Sequence, residues 1–276
     1  MKPLAQGLAV APTESRLSLS ADVKYSARNH SSRRSVMTDS PRSIAAIDKT
    51  LPPGADEERF SGYGVMGMPF ASGHYLALRH FPASSVGAGY DAVWHRDAGG
   101  KWVIYSSVSP ATSCARYFGS ALEDARVEDI SVDWTGPAAF TVRVGDRIVW
   151  NLELGRSLAT AAMTGLGRMM PAALWRRPAV LSLMSRMAGP ALGLGRVRLS
   201  GTSPNGQWFL ANPRMLWTVE NSTARIDGID IGPPGPLAEQ ARLGDFWLPQ
   251  RGMFAVGESY FEQYDPARHR PARPVS

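Results

Sequence analysis

The sequence predicts a mainly β protein: roughly ten antiparallel strands forming a barrel or a two-lobed sandwich, with a helical insertion between two β segments. Three observations lead there. Apolar and polar residues alternate with period two over several long runs, as in Phe140, Val142 and Val144 against Thr141 and Arg143. Dipeptides that tolerate positive φ, Gly145-Asp146, Asn205-Gly206 and Asp227-Gly228, punctuate those runs as hairpin turns do. One stretch, 158–194, breaks the rhythm with Ala, Leu and Met, the composition of helices.

Residues 1–58 are rich in serine and arginine, lack period and end in "LPPGADEE", so they are expected to be a disordered extension. Met37 opens "MTDSPRS", which reads as a natural start and makes 1–36 an expected upstream extension. The first β segment, 59–157, carries strand-like runs at 73–81, 90–96, 101–108, 127–134, 139–144 and 147–154. The insertion, 158–195, is expected to hold two or three short helices broken by Pro171, Pro178 and Pro190. The second β segment, 196–265, resumes with 196–202, 207–211, 214–220, 224–231 and 252–264. The basic tail, 266–276, is expected to fray.

Composition bounds the function. At 276 residues, 44% hydrophobic and 20% charged, the chain can bury a sizeable core. Its one cysteine, Cys114, excludes an internal disulfide and a cysteine-rich zinc site. No apolar run is long enough to span a bilayer, and no signal-peptide core opens the chain, so a cytoplasmic location is expected. The net charge is +6, and only four of the thirty basic residues are lysine. Between Glu153 and Glu220 there is no acidic residue but eight arginines, at 156, 168, 176, 177, 186, 196, 198 and 214. Such a segment suits an anionic headgroup or an anionic membrane surface, giving a peripheral location as the alternative. No recognised nucleic-acid module accompanies the charge, so no nucleic-acid partner is expected. There is no phosphate-binding or dinucleotide glycine motif and no nucleophile elbow. His74, His80 and His95 are too scattered for a metal site, so neither metal nor cofactor is expected.

The densest cluster of chemistry is 92–119, "AVWHRDAGGKWVIYSSVSPATSCARYFG". Strand parity puts Asp91, Val93 and His95 on one face and Tyr90, Ala92, Trp94 and Arg96 on the other. Asp91 and His95 then lie about 13 Å apart along the strand, too far to bond directly. Ser109 and Pro110 suit a helix start, with Cys114 in its second turn as a nucleophile only if a base reaches it. Asp245, beside Phe246 and Trp247, is a carboxylate whose pKa burial would raise.

Gly-x-Trp triplets occur at 100–102 and 206–208, each just after a turn. In this the chain resembles lipocalin-type barrels, where such a tryptophan plugs one end. Its two β segments joined through a helical insertion, over about 60–264, also resemble the two-lobed lipocalin-like superfamily that includes carotenoid 1,2-hydratases. That resemblance implies an apolar ligand, of acyl, isoprenoid or polyketide type, and maps no catalytic residue. The leading expectation is therefore a β-barrel binding a hydrophobic small molecule, its head met by arginines. Trp94, Trp102, Arg116, Tyr117, Met169, Met170, Arg196, Arg198, Arg214, Trp217 and Trp247 are the candidate ligand contacts. The alternatives are an acid-assisted hydratase, cyclase or isomerase using Asp245 or Asp91 with His95 or Tyr105, and a membrane- or partner-binding protein using the insertion.

Overall fold

A computed structural model describes residues 40–272. It opens with a short helix, α1 (Pro41–Ala45), and then β1 (Glu58–Pro69), β2 (Tyr75–Ser84), β3 (Tyr90–Arg96) and β4 (Trp102–Ser106). One helical turn, α2 (Ala115–Phe118), precedes β5 (Asp124–Val127), β6 (Ile130–Trp134), β7 (Ala139–Val144) and β8 (Ile148–Gly155). The insertion forms α3 (Leu158–Met169), α4 (Ala172–Trp175) and α5 (Pro178–Leu192). The chain returns through β9 (Ser200–Thr202), β10 (Trp208–Ile226), β11 (Ile229–Asp230), β12 (Arg242–Leu243), β13 (Phe246–Trp247) and β14 (Met253–Phe261).

The main sheet runs β5-β4-β3-β2-β1-β14-β10-β8-β7-β6, with β9 and β11 paired to β10. It curls strongly into a half-barrel. The curl shows in side chains that meet across the sheet: Tyr63 on β1 lies 6.3 Å from Trp134 on β6, at the far end of the strand order. Inside the curl, Phe140, Trp150, Trp217 and Phe254 pack with aliphatic residues from most strands into one core. All pairings in the main sheet are antiparallel except β4–β5, which is parallel and connected through the α2 region.

Three differences from the sequence expectation have local causes. The strand β1 is absent from the alternation signal because "ERFSGYGVMGMP" is glycine-rich, and glycine is depleted in strands. At Gly62 a Cβ would collide with the carbonyl oxygen of His80 on β2, so this bend demands glycine. Second, 207–211, 214–220 and the start of 224–231 merge into the single strand β10. Asn212-Pro213, which separates two of the expected strands, is bridged by a register shift between Pro213 and Met215. Thr164 of α3 hydrogen-bonds the Leu216 N–H (2.9 Å) just beyond it. Third, order extends past both expected disordered ends. Ser40 caps α1, Ile44 is buried in the main core, and His269 is buried, with its Nε2 3.3 Å from Glu262. The expected upstream extension, 1–36, lies outside the described residues.

The helices follow their capping chemistry. Ser157 and Thr160 form a reciprocal capping box at the start of α3, and Pro178 opens α5. Pro171 separates α3 from α4, but Pro190 sits in the last turn of α5 without breaking it. Among the described residues no helix is long and apolar enough to cross a membrane.

Candidate functional site

Inside the half-barrel the buried side chains pack into one core, and a pocket lies on the other face of the sheet. A pocket of about 130 Å³ opens between the other face of the sheet and its coverings. Its floor comes from β1, β2, β3, β10 and β14. Its walls come from α2, α3, α5, the 194–199 loop and the β13 region. Gly257 contributes to the floor, where a Cβ would strike the carbonyl oxygen of Asn212 on β10. The lining is largely apolar and rich in methionine, with Met66, Met163, Met184 and Met253.

One charge faces this apolar space from within. Arg79 is 5% exposed, yet no carboxylate is within ion-pair distance of it among the described residues. Its Nη1 donates to the carbonyls of Val65 (2.7 Å) and Leu78 (2.8 Å), and its Nη2 to that of Met66 (3.3 Å). A guanidinium has five N–H donors, so two remain for another acceptor. The cation lies over the rings of Trp94 (4.9 Å) and Phe246 (6.0 Å). Burial pulls its pKa down, and the neighbours whose charges oppose that pull are Cys114, Tyr75 and Tyr90 rather than an Asp or Glu.

The other polar groups on the lining differ in their availability. Asn212 is 1% exposed, and neither its Nδ2 nor its Oδ1 has a hydrogen-bond partner. Tyr90 Oη and Cys114 Sγ are 3.3 Å apart. Burial pushes the Cys114 thiol up and the Tyr90 phenol well above its usual value, outweighing the field of Arg79. Glu258 is occupied by Arg214 (3.1 Å) and the Tyr260 hydroxyl (3.2 Å). Neither described lysine, Lys49 or Lys101, lines the pocket. At its edge, Val197, Arg198 and Trp247 also line a shallow polar groove. There Arg196 and Arg242 lie over the Trp247 ring at 5.0 and 5.5 Å.

Of the residues singled out by sequence, Trp94, Tyr117, Arg198 and Trp247 line this pocket. Trp102 packs against Tyr75 on the same side of the sheet, 5.7 Å between rings, and plugs no barrel end. The tryptophan of the second triplet, Trp208, is 36% exposed. Trp217 belongs to the core inside the curl, and Met169, Met170, Arg196 and Arg214 do not line the pocket.

The four acid-base candidates do not converge. Asp245 sits in the surface groove, paired with Arg198 and accepting from the Thr202 N–H (3.1 Å). Asp91 binds His80 (2.7 Å), whose ring stacks on Tyr63 at 4.4 Å. His95 bonds His74 (3.1 Å), and burial with the neighbouring His74 lowers its pKa to about 4. Burial raises the Tyr105 phenol, which lies in the core inside the curl. Among the described residues no three His, Cys, Asp or Glu side chains gather as a metal site.

Arg116 joins a different buried network. It bonds Glu58 through two nitrogens (2.7 and 3.1 Å), and the same carboxylate accepts from Tyr117 (2.6 Å) and Gln207 (3.2 Å). Burial works against the Glu58 charge, but these donors outweigh it and hold the carboxyl below its ordinary pKa. Every partner is satisfied, which makes this network structural.

Arg79 and Asn212 escaped sequence reasoning. Arg79 left a trace: Tyr75, Ala77 and Phe81 share its strand parity, so a lone charge sits on an otherwise apolar face of the strand. Asn212 left none, since Asn-Pro reads first as a turn.

No family model matches the chain, and no curated protein matches it. Among solved structures, an acetoacetate decarboxylase from Legionella pneumophila subsp. pneumophila aligns over 82% of this chain and 90% of its own. The identity is 8% and the TM-score 0.36, a likeness that carries no argument about this chain.

Proposed function

We propose that the pocket binds a small apolar molecule carrying one anionic group, most simply a short carboxylic acid, whose carboxylate meets Arg79. The observation that carries this reading is a buried guanidinium with donors to spare and no acidic partner, facing an apolar pocket. An unpaired buried cation is costly, and an anion arriving with its apolar body in the pocket offsets that cost. The unpartnered Asn212 amide offers both a donor and an acceptor to the same guest. Size narrows the class. A void of about 130 Å³ is comparable with an engineered one of about 150 Å³ that takes benzene. A ring or a chain of similar bulk fits; a long isoprenoid does not, unless the methionines of the wall move aside.

Binding is favoured over turnover because the lining groups are poorly disposed to act as base or nucleophile. Cys114 and Tyr90 are held protonated, Glu258 is tied to Arg214, and neither described lysine reaches the pocket. Isothermal titration with hexanoate and hexanol, and with benzoate and benzyl alcohol, tests the proposal. The wild-type protein should prefer each acid to its alcohol. Arg79→Met should lose about tenfold to a hundredfold affinity for the acids and little for the alcohols. Equal wild-type affinity for acid and alcohol, or binding of neither, would overturn it.

A further inference from the structure

The insertion has an outer surface that the fold does not explain. On α5, Leu181, Met184, Ala188 and Leu192 face inward and are buried, as one apolar stripe requires. The opposite face nevertheless carries Leu183 and Met187, 59% and 51% exposed, with Arg186 between them. On α3 the anomaly is sharper. Leu158, Ala162, Leu166 and Met169 recur at spacings of one helical turn and all point to solvent, with Leu158 92% and Met169 83% exposed. A stripe at that spacing is a face meant to be covered.

The charges around it say by what. Arg156, Arg177 and Arg186 have no ion pair among the described residues, and the sequence from 154 to 219 contains no acid. A second copy of the chain meeting this face with the same face would set these arginines against themselves. An anionic bilayer would receive leucine and methionine at the acyl boundary while the arginines reach its phosphates.

We propose that the outer face of α3 and α5 docks the protein on an anionic lipid surface without crossing it. The same two helices wall the pocket through Met163, Met184, Ala188 and Leu192, so docking brings the pocket's wall against the lipid. The inference does not depend on the pocket's ligand.

Co-sedimentation of the full chain with phosphatidylcholine vesicles, with and without phosphatidylglycerol, tests it. Binding is expected only with phosphatidylglycerol and should fall as salt rises. Each surface arginine contributes roughly fivefold, so Arg177→Glu with Arg186→Glu should weaken partitioning by more than about tenfold. Leu166→Asp with Met169→Asp should do the same while the circular dichroism spectrum stays unchanged. Absence of vesicle binding at low salt would overturn the proposal, as would wild-type partitioning by both double variants. A dimer in light scattering that Leu166→Asp with Met169→Asp dissolves, without vesicle binding, would assign the face to a second copy instead.

Discussion

The two faces of the curled sheet are made from the same strands and do opposite things. Inside the curl, Phe140, Trp150, Trp217 and Phe254 interlock with aliphatic neighbours, and the buried Trp150 N–H donates to Ser222 (2.8 Å). On the other face the strands carry Gly62, Arg79, Asn212 and Gly257, and helices and loops roof a void over them. Curling explains the division. It brings side chains on the inner face together, so large residues fill it, while the outer face diverges and must be covered by separate elements. A covering laid on from outside can leave a gap; an interior closed on itself holds the fold.

The largest effect should therefore come from inside. Trp150→Ala is expected to cost about 3–5 kcal/mol in urea unfolding, toward the upper end because Ser222 also loses its partner. A cost below about 1 kcal/mol would mean that the inner core is not what holds the sheet.

At the margin of the outer face, Glu58→Gln should cost less, about 2–3 kcal/mol at neutral pH, since solvent partly reaches Arg116. The sign with pH follows from the depressed carboxyl. Its stabilisation is complete above the ordinary value of 4.5 and is lost as pH falls below it through the folded-state value. Wild-type and Glu58→Gln stabilities should thus converge in acid. A gap that stays constant from neutral pH down to below the carboxylate range would show that the Glu58 charge is not what the network uses.

The same division governs what the sequence revealed. Inner-face strands such as β7 and β8 alternate cleanly because their other side meets water, and both were legible from residues 139–154. β3 was legible too, with the parity of Tyr90, Trp94, Val93 and His95 as found. β1 was not, because it is buried on both faces and its bends select glycine. The site was less legible than the fold. Trp94, Tyr117, Arg198 and Trp247 were reachable as aromatic or basic side chains, a type that lines ligand pockets. Arg79 required noticing a lone charge on an apolar face of β2. The isolation of Asn212 is a property of what surrounds it in space, which no local pattern encodes.

The smallest expected effect on stability is the sharpest test of the outer face. Ala188 is buried on α5 and borders the void, so Ala188→Leu adds three carbons where there is space for them. In a filled core such an insertion costs typically about 1–3 kcal/mol. Here added contact offsets strain, and the change should stay within about 1 kcal/mol of wild type in either direction. Hexanoate binding should nevertheless fall by more than about tenfold, because the guest and the new side chain compete for one volume. Stability and binding would then separate on this face as they cannot inside the curl. A loss of about 3 kcal/mol instead would mean that α5 has no slack above the sheet, and that the outer face is as tightly packed as the inner one.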